Sequence, residues 1–247
     1  MIDRGRQVVS KLFAMLQPGD LRLRQARCPI CGPTFLIKLA ANSVSVRCVL
    51  CRASAVHMSI VNVLQQLYPD LLRLAVYEMS SRGPLYGYLS HNAAHLTCSE
   101  FFDDVARGEL RGRVQCQDVQ HLTYANNSFD LCTSTEVFEH VPNDNAGFLE
   151  IHRVLRPGGR LVFTVPLTDK PTTIERARMV DGTLQHILAP EYHGDVVRGH
   201  GKVLCFRNYG QDILDRLREA GFHHAKLALA DDKAWWNMGV KVIVAEK

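Results

Sequence analysis

Leu74-Ala75-Val76-Tyr77-Glu78-Met79-Ser80-Ser81-Arg82-Gly83-Pro84 decides the fold. The apolar run Leu74 to Met79 has strand composition. The polar, glycine-punctuated stretch after it ends the strand, and Pro84 suits the first turn of a helix. From here the chain alternates strand-like and helix-like segments. Strands are expected at Leu74 to Met79, His95 to Ser99, Arg113 to Gln117, Phe129 to Thr133 and Arg160 to Val165. Helices are expected from about Asn143 to Leu155 and from Gln211 to Ala220. Such alternation predicts an α/β fold with a doubly wound, mainly parallel, Rossmann-like sheet. Two further strand-like segments, Phe222 to Ala230 and Gly239 to Ala245, close the chain and suit a hairpin at the sheet edge.

In a doubly wound sheet, ligands bind beyond the carboxyl ends of the strands, where strand order reverses. Three acids fall at successive strand ends here. Glu78 ends the first strand, Glu100 follows 22 residues later, and Asp118 comes just after the third. The spacing puts Glu100 where it can accept hydrogen bonds from both ribose hydroxyls of a nucleoside. Asp118 can accept from an adenine amino group while Val119 packs on the ring. Gly83 lets backbone approach a ligand closely. Taken singly, each acid also suits a solvated turn or a helix cap.

Upstream, Cys28-Pro29-Ile30-Cys31-Gly32 and Cys48-Val49-Leu50-Cys51 form two C-x2-C knuckles sixteen residues apart. That is zinc-ribbon spacing, and four thiolates fill a tetrahedron without leaving a position for substrate. Cys28, Cys31, Cys48 and Cys51 are therefore the expected ligands of a structural Zn2+; two disulfides or free thiols are the alternatives. The other cysteines are scattered singly, as in a reducing compartment. The expected division is residues 1–56 as an N-terminal helix (Val8 to Leu16) and ribbon, and 57–247 as the α/β domain. Short strands are expected at Phe35 to Ala40 and Ser43 to Arg47 about Asn42, and a helix from Ala55 to Leu67.

Residues 1–56 hold nine Lys/Arg against two Asp/Glu, while the rest of the chain has 20 against 23. A basic ribbon on a mildly acidic body suits RNA, an acidic partner or an anionic substrate, and equally a solvated basic surface packed on that body. Phe35 is the ribbon's only aromatic residue, which argues against base stacking. No apolar run reaches membrane-spanning length, and the N-terminus lacks secretory-signal features. The expected address is cytoplasmic, with no membrane partner.

The stretch from Asp118 to Leu167 carries Asn127-Ser128-Phe129-Asp130-Leu131, then Thr135-Glu136-Val137-Phe138-Glu139-His140-Val141, then Leu155-Arg156-Pro157-Gly158-Gly159-Arg160. It resembles the class I S-adenosylmethionine-dependent methyltransferases, most closely their type 11 branch. The resemblance extends over roughly 70–245 and implies a seven-stranded sheet whose last strand is antiparallel. It also implies S-adenosylmethionine as cofactor, with Glu78, Ser80 and Gly83 at the first motif, Glu100 on the ribose and Asp118 with Val119 on the adenine. Thr135 and Glu136 would flank the methionine part. The chain departs from the family at the glycine-rich loop, where Ser80, Arg82 and Pro84 stand at glycine positions. Ser80 can still approach the cofactor, and Arg82 can pair with its carboxylate; otherwise binding is weakened or lost.

The family builds its substrate cover after the fifth strand, here residues 168–208. His186, His193, Asp195 and His200 crowd this segment, and Tyr192-His193-Gly194-Asp195 suits a carboxylate-oriented imidazole. His193, Asp195 and His140, which follows the fourth strand, are the candidate catalytic groups. His and Asp also serve as turn caps, and a His after a strand also serves to fix a loop. The expected function is methyl transfer to a small or medium-sized acceptor. An RNA methyltransferase and a non-catalytic scaffold are the alternatives, and the acceptor and oligomeric state stay open.

Overall fold

The computed structural model describes residues 22–38, 45–195 and 201–247. The expected helix Val8 to Leu16, the turn at Asn42 and His200 lie outside the described residues.

β4 (Ala75–Glu78), β5 (His95–Glu100), β7 (Val114–Cys116), β8 (Phe129–Thr135) and β9 (Leu155–Thr164) run parallel, with β4 paired to both β5 and β8. β16 (His224–Leu229) and β17 (Lys241–Glu246) follow, and with the short β6 (Leu110–Arg111) the sheet order is β16-β17-β9-β8-β4-β5-β7-β6. Chain order reverses between β4 and β8, so the switch point lies beside the end of β4. β17 pairs antiparallel with both β9 and β16. The closing strands thus form the hairpin expected at the sheet edge, with β16 outermost and β17 antiparallel between it and β9. The two-residue β6 (Leu110–Arg111) adds an eighth strand by turning back on β7.

Alternation along the strands sorts the core. Val76, Leu131, Val162, Val242 and Val244 pack with Ile60, Val61 and Leu64 of α1 (Ala55–Leu67) and with Leu85 and Leu89 of α2 (Gly83–Asn92). Their neighbours Tyr77, Cys132, Leu161, Phe163, Ile243 and Ala245 join another cluster with Phe148 and Ile151 of α3 (Asp144–Val154) and Ile213 and Leu217 of α4 (Ile213–Glu219). Successive strand residues point to opposite faces, so each face recruits its own helices. At the start of α1, the Ser54 amide donates to His57 Nδ1 at 3.4 Å, the reciprocal contact of a capping box with an imidazole in the acid's place.

The quoted motifs explain one another structurally. Asp130 Oδ2 accepts from Ala75 N at 2.8 Å and from Arg156 Nη1 at 2.8 Å, tying β8 to β4 and to the Arg-Pro-Gly-Gly turn. A Cβ on Gly159 would lie 2.8 Å from the Arg156 carbonyl and 3.1 Å from that of Asp130, so only glycine fits.

In the ribbon, β1 (Arg22–Cys28), β2 (Gly32–Lys38) and β3 (Val46–Cys48) form an antiparallel sheet. Its core of Leu36, Val46, Cys28 and Cys48 packs on Ala55 and Met58 of α1 and on Trp236 from the β16–β17 connection. Trp236 is buried, so the loop between the last strands seats the ribbon on the body.

Candidate functional site

A cavity of about 470 Å³ opens at the switch point. Ser80, Glu100, Asp118, Val119, Thr135, Glu136 and His140 line it, together with Gly194 from the insert. Strand-end spacing pointed to Glu100, Asp118 and Val119, the resemblance to Ser80, Thr135 and Glu136, and position after the fourth strand to His140; Gly194 was not among the expected site residues. Arg82 and Pro84 are not among the lining residues, and the volume falls within the roughly 300–1,000 Å³ of ligand pockets.

The strand-end acids have different settings. Glu100 is buried at the end of β5, and its Oε1 accepts from Ser81 N at 2.8 Å, Ser81 Oγ at 2.9 Å and Ser80 Oγ at 3.1 Å. Arg82 Nε stands 3.6 Å from the same oxygen. Ser80, at a glycine place, and its neighbour Ser81 thus anchor the loop to the Glu100 carboxylate, and Arg82 pairs there too. Asp118 is half-buried and accepts from Gln120 N at 2.9 Å, a local turn that leaves it at the cavity wall. Glu78 does not line the cavity. It is buried, bonded by the Thr133 hydroxyl, and burial pushes its carboxyl up to about 8. Gly83 opens α2 with φ +87°, a conformation that side chains resist, and it too is away from the cavity lining.

Beyond β8, Glu136 takes φ +54°, and its amide donates to the Thr164 carbonyl at 3.0 Å. Burial, with the nearby Glu139 charge, pushes the Glu136 carboxyl up to about 8. The following 3-10 turn, Phe138–His140, is held by Arg207, whose Nη1 donates to the carbonyls of Phe138 at 3.1 Å and Val141 at 2.6 Å. Arg207 is itself buried against Asp144 and Glu175, so the end of the insert grips the turn that carries His140.

That grip brings the insert against the turn. The insert strands β13 (Tyr192–Asp195) and β14 (Gly201–Leu204) pair antiparallel, and the Phe206 amide donates to the Glu139 carbonyl at 2.7 Å. His140 Nδ1 lies 2.8 Å from the Leu204 carbonyl, and the His140 and His193 rings meet edge to face at 4.8 Å. Glu139, absent from the expected site, stands between them with 1 % exposure. Its Oε1 lies 3.5 Å from His140 Nε2 and 3.7 Å from His193 Nδ1. On its other side, His193 Nε2 lies 3.4 Å from Glu191 Oε1. Glu139 foremost, then Glu191, holds the His193 imidazole above its ordinary range despite partial burial. The structure therefore brings His140 and His193 together. The Asp195 side chain lies outside the described residues; among those described, Glu139 and Glu191 face the His193 imidazole. The Glu139-His140 dipeptide was the available signal for Glu139. His186 is exposed on β12 (Thr183–His186), apart from the cavity lining.

In the ribbon, Cys28 Sγ lies 3.7 Å from Cys51 Sγ and Cys31 Sγ 3.4 Å from Cys48 Sγ, and all four sulfurs fall within 4.8 Å of one another. These separations exceed the roughly 2.05 Å of a disulfide. They match tetrahedral zinc, whose bonds of about 2.3 Å set sulfurs about 3.8 Å apart. The donor set thus fits the ion.

Residues 81–163 match the family model described as a methyltransferase domain. Over 71 residues the chain is 35% identical to a ubiquinone biosynthesis O-methyltransferase of Coxiella burnetii (strain RSA 493 / Nine Mile phase I), covering 27% of this chain and 30% of that protein. Over 170 residues it is 26% identical to 24-methylenesterol C-methyltransferase 3 of Arabidopsis thaliana, covering 63% and 44%. The chain therefore spans between about a third and a half of the length of these curated relatives. A solved S-adenosylmethionine-dependent methyltransferase from Mesorhizobium loti aligns with 75% of this chain and 96% of its own, at 17% identity and a TM-score of 0.46. Among the described residues no helix is long and apolar enough to cross a membrane.

Proposed function

We propose, for a chain that carries a methyltransferase domain of the S-adenosylmethionine-dependent family, that it methylates a small or medium-sized acceptor by in-line displacement. The carrying observation is the cavity at the switch point, where Glu100, Asp118, Val119, Thr135 and Glu136 come from successive strand ends onto one wall. Bound S-adenosylmethionine would supply an activated methyl group whose sulfonium is already a good leaving group. The protein's task is then alignment and exclusion of water.

Glu100 would take the ribose hydroxyls, since its backbone and serine anchors fix the carboxylate in place. Asp118 and Val119 would take the adenine edge and face. Thr135 and Glu136 would flank the methionine end, with Ser80 supplying a small side chain where the loop must come close. On the facing side Val137, Val141, Val203 and Phe206 offer an apolar wall and His140 a polar point, which suits an acceptor with an apolar body and one reacting heteroatom. A hydroxyl or protonated amine must shed a proton as it attacks, and the Glu139, His140 and His193 cluster is the place toward which that proton leaves. The ribbon cysteines would hold one structural Zn2+, outside the chemistry.

Titration calorimetry with S-adenosylmethionine tests the reading. Saturable binding is expected, and an absence of heat at millimolar cofactor with folded protein would move the assignment to a non-catalytic scaffold.

A further inference from the structure

We infer that Glu139, His140 and His193 form a second metal site, separate from the ribbon and built for a borderline divalent cation such as zinc at the acceptor wall. The argument starts from an electrostatic imbalance. Glu139 is 1 % exposed, and neither of its carboxylate oxygens receives a hydrogen bond among the described residues. Two imidazole nitrogens face its Oε1 at 3.5 and 3.7 Å. A buried carboxylate without donors is costly, so the site calls for a positive partner.

The imidazoles are arranged to accept one. His140 turns Nδ1 to the Leu204 carbonyl at 2.8 Å, which requires the proton on that nitrogen and makes Nε2 the basic one. In the neutral ring a lone pair then faces a carboxylate oxygen, a repulsive contact unless a cation lies between. His193 shows the same design reversed. Nε2 faces Glu191 Oε1 at 3.4 Å, and Nδ1 faces Glu139. Ligand histidines characteristically donate their remote N–H to a carboxylate or a backbone carbonyl, and here one ring does each.

The spacing agrees. Metal bonds of about 2.0–2.1 Å set tetrahedral neighbours about 3.4 Å apart, and all three ligand atoms lie within 4.8 Å of one another. Two imidazoles and one carboxylate select zinc, iron or similar ions over magnesium or calcium. A protonated imidazole would balance Glu139 too, and titration with the metal itself separates the two. Cys205 lies within reach of Glu191 and His193 as a rival set, yet its thiol already donates to the Arg207 carbonyl at 3.1 Å.

Three protein ligands leave a coordination position for one more, and one of the three, His140, lines the cavity. The site's chemical role, though not its existence, rests on the methyl-transfer reading. A cation there would hold an acceptor oxygen and lower its pKa, the proton passing to bulk water, so neither imidazole need act as base.

The test titrates the full chain, its ribbon zinc in place, with Co2+ by calorimetry and visible absorption. One additional equivalent is expected at micromolar Kd, with weak d–d bands and no thiolate-to-cobalt charge transfer. His193→Ala and Glu139→Gln should each weaken it at least tenfold, and Cys205→Ser should not. His193 sits on a partly exposed strand, so its variant decides alone if Glu139→Gln fails to fold. No additional equivalent, an equivalent indifferent to those variants, or one with a thiolate band lost in Cys205→Ser would each overturn the site. Cofactor calorimetry on the same samples in chelator reads the methyl-transfer proposal separately.

Discussion

The ribbon and the acceptor wall both gather side chains that suit a cation, but by opposite means. In the ribbon the four sulfurs come from two knuckles of four residues each, and the local turns bring them together. At the acceptor wall Glu139 and His140 come from the turn after β8, and His193 from an insert strand more than fifty residues later. The first site is made by spacing, the second by topology. A site made by spacing carries its own small core and should fail as a unit. One made by topology borrows a scaffold already paid for by the sheet, so it should be removable without loss of fold.

The sharpest way to break that contrast is Cys48→Ser. Cys48 is 1 % exposed and lies in the core that joins the ribbon to α1 and Trp236. Structural zinc sites contribute on the order of 10 kcal/mol to small domains. Loss of the ribbon's one equivalent of zinc is expected, together with proteolysis confined to about residues 22–54. Metal analysis and limited digestion read both. A zinc content equal to that of the natural chain would refute the ribbon site, and global unfolding would refute its independence.

Glu78 tests the topological side next. Its partner Thr133 is a neighbour only because β4 and β8 pair. Burial raises its folded pKa to about 8 from an ordinary value near 4.5. The stabilising form is the protonated one, whose contribution is complete below about 4.5 and lost as pH rises toward 8. Glu78→Gln should therefore stabilise the protein relative to the natural chain, increasingly between those pH values and evenly above them. By linkage the gain is on the order of a few kcal/mol at pH 8. Tm measured across that range would show it, and a pH-independent difference would mean that Glu78 is ionised in the fold.

What could be read from the sequence follows the same division. The four thiols, the helix Ala55–Leu67, the parallel strands and the order of the strand-end acids depend on local spacing and alternation, and the structure places each accordingly. Strand β1 went unread because its exposed polar residues have no apolar rhythm. Glu139 was passed over because a carboxylate beside a histidine has no meaning until Leu204, Glu191 and His193 arrive from the insert. Glu78 was read as a ligand-facing acid from its place at a strand end, whereas Thr133 on the adjacent strand draws it inward.

The smallest effects lie along the cofactor wall, where both modes meet. Glu100 is fixed by three hydrogen bonds from the loop just after β4, and Asp118 only by its own turn at Gln120. Removing a bond to a charged group costs about 1.5–3 kcal/mol, so Glu100→Ala should weaken S-adenosylmethionine binding roughly tenfold to a hundredfold. Asp118 is half-buried and more solvated, so Asp118→Ala should cost less, within about tenfold. Neither variant should alter the Co2+ stoichiometry at the acceptor wall, because neither contributes a ligand there. Calorimetry with each ligand in turn gives the four numbers required. Equal losses from the two substitutions would mean that the hold of Ser80 and Ser81 on Glu100 contributes nothing, and that Ser80 merely fills the space a glycine leaves in the family's usual pattern.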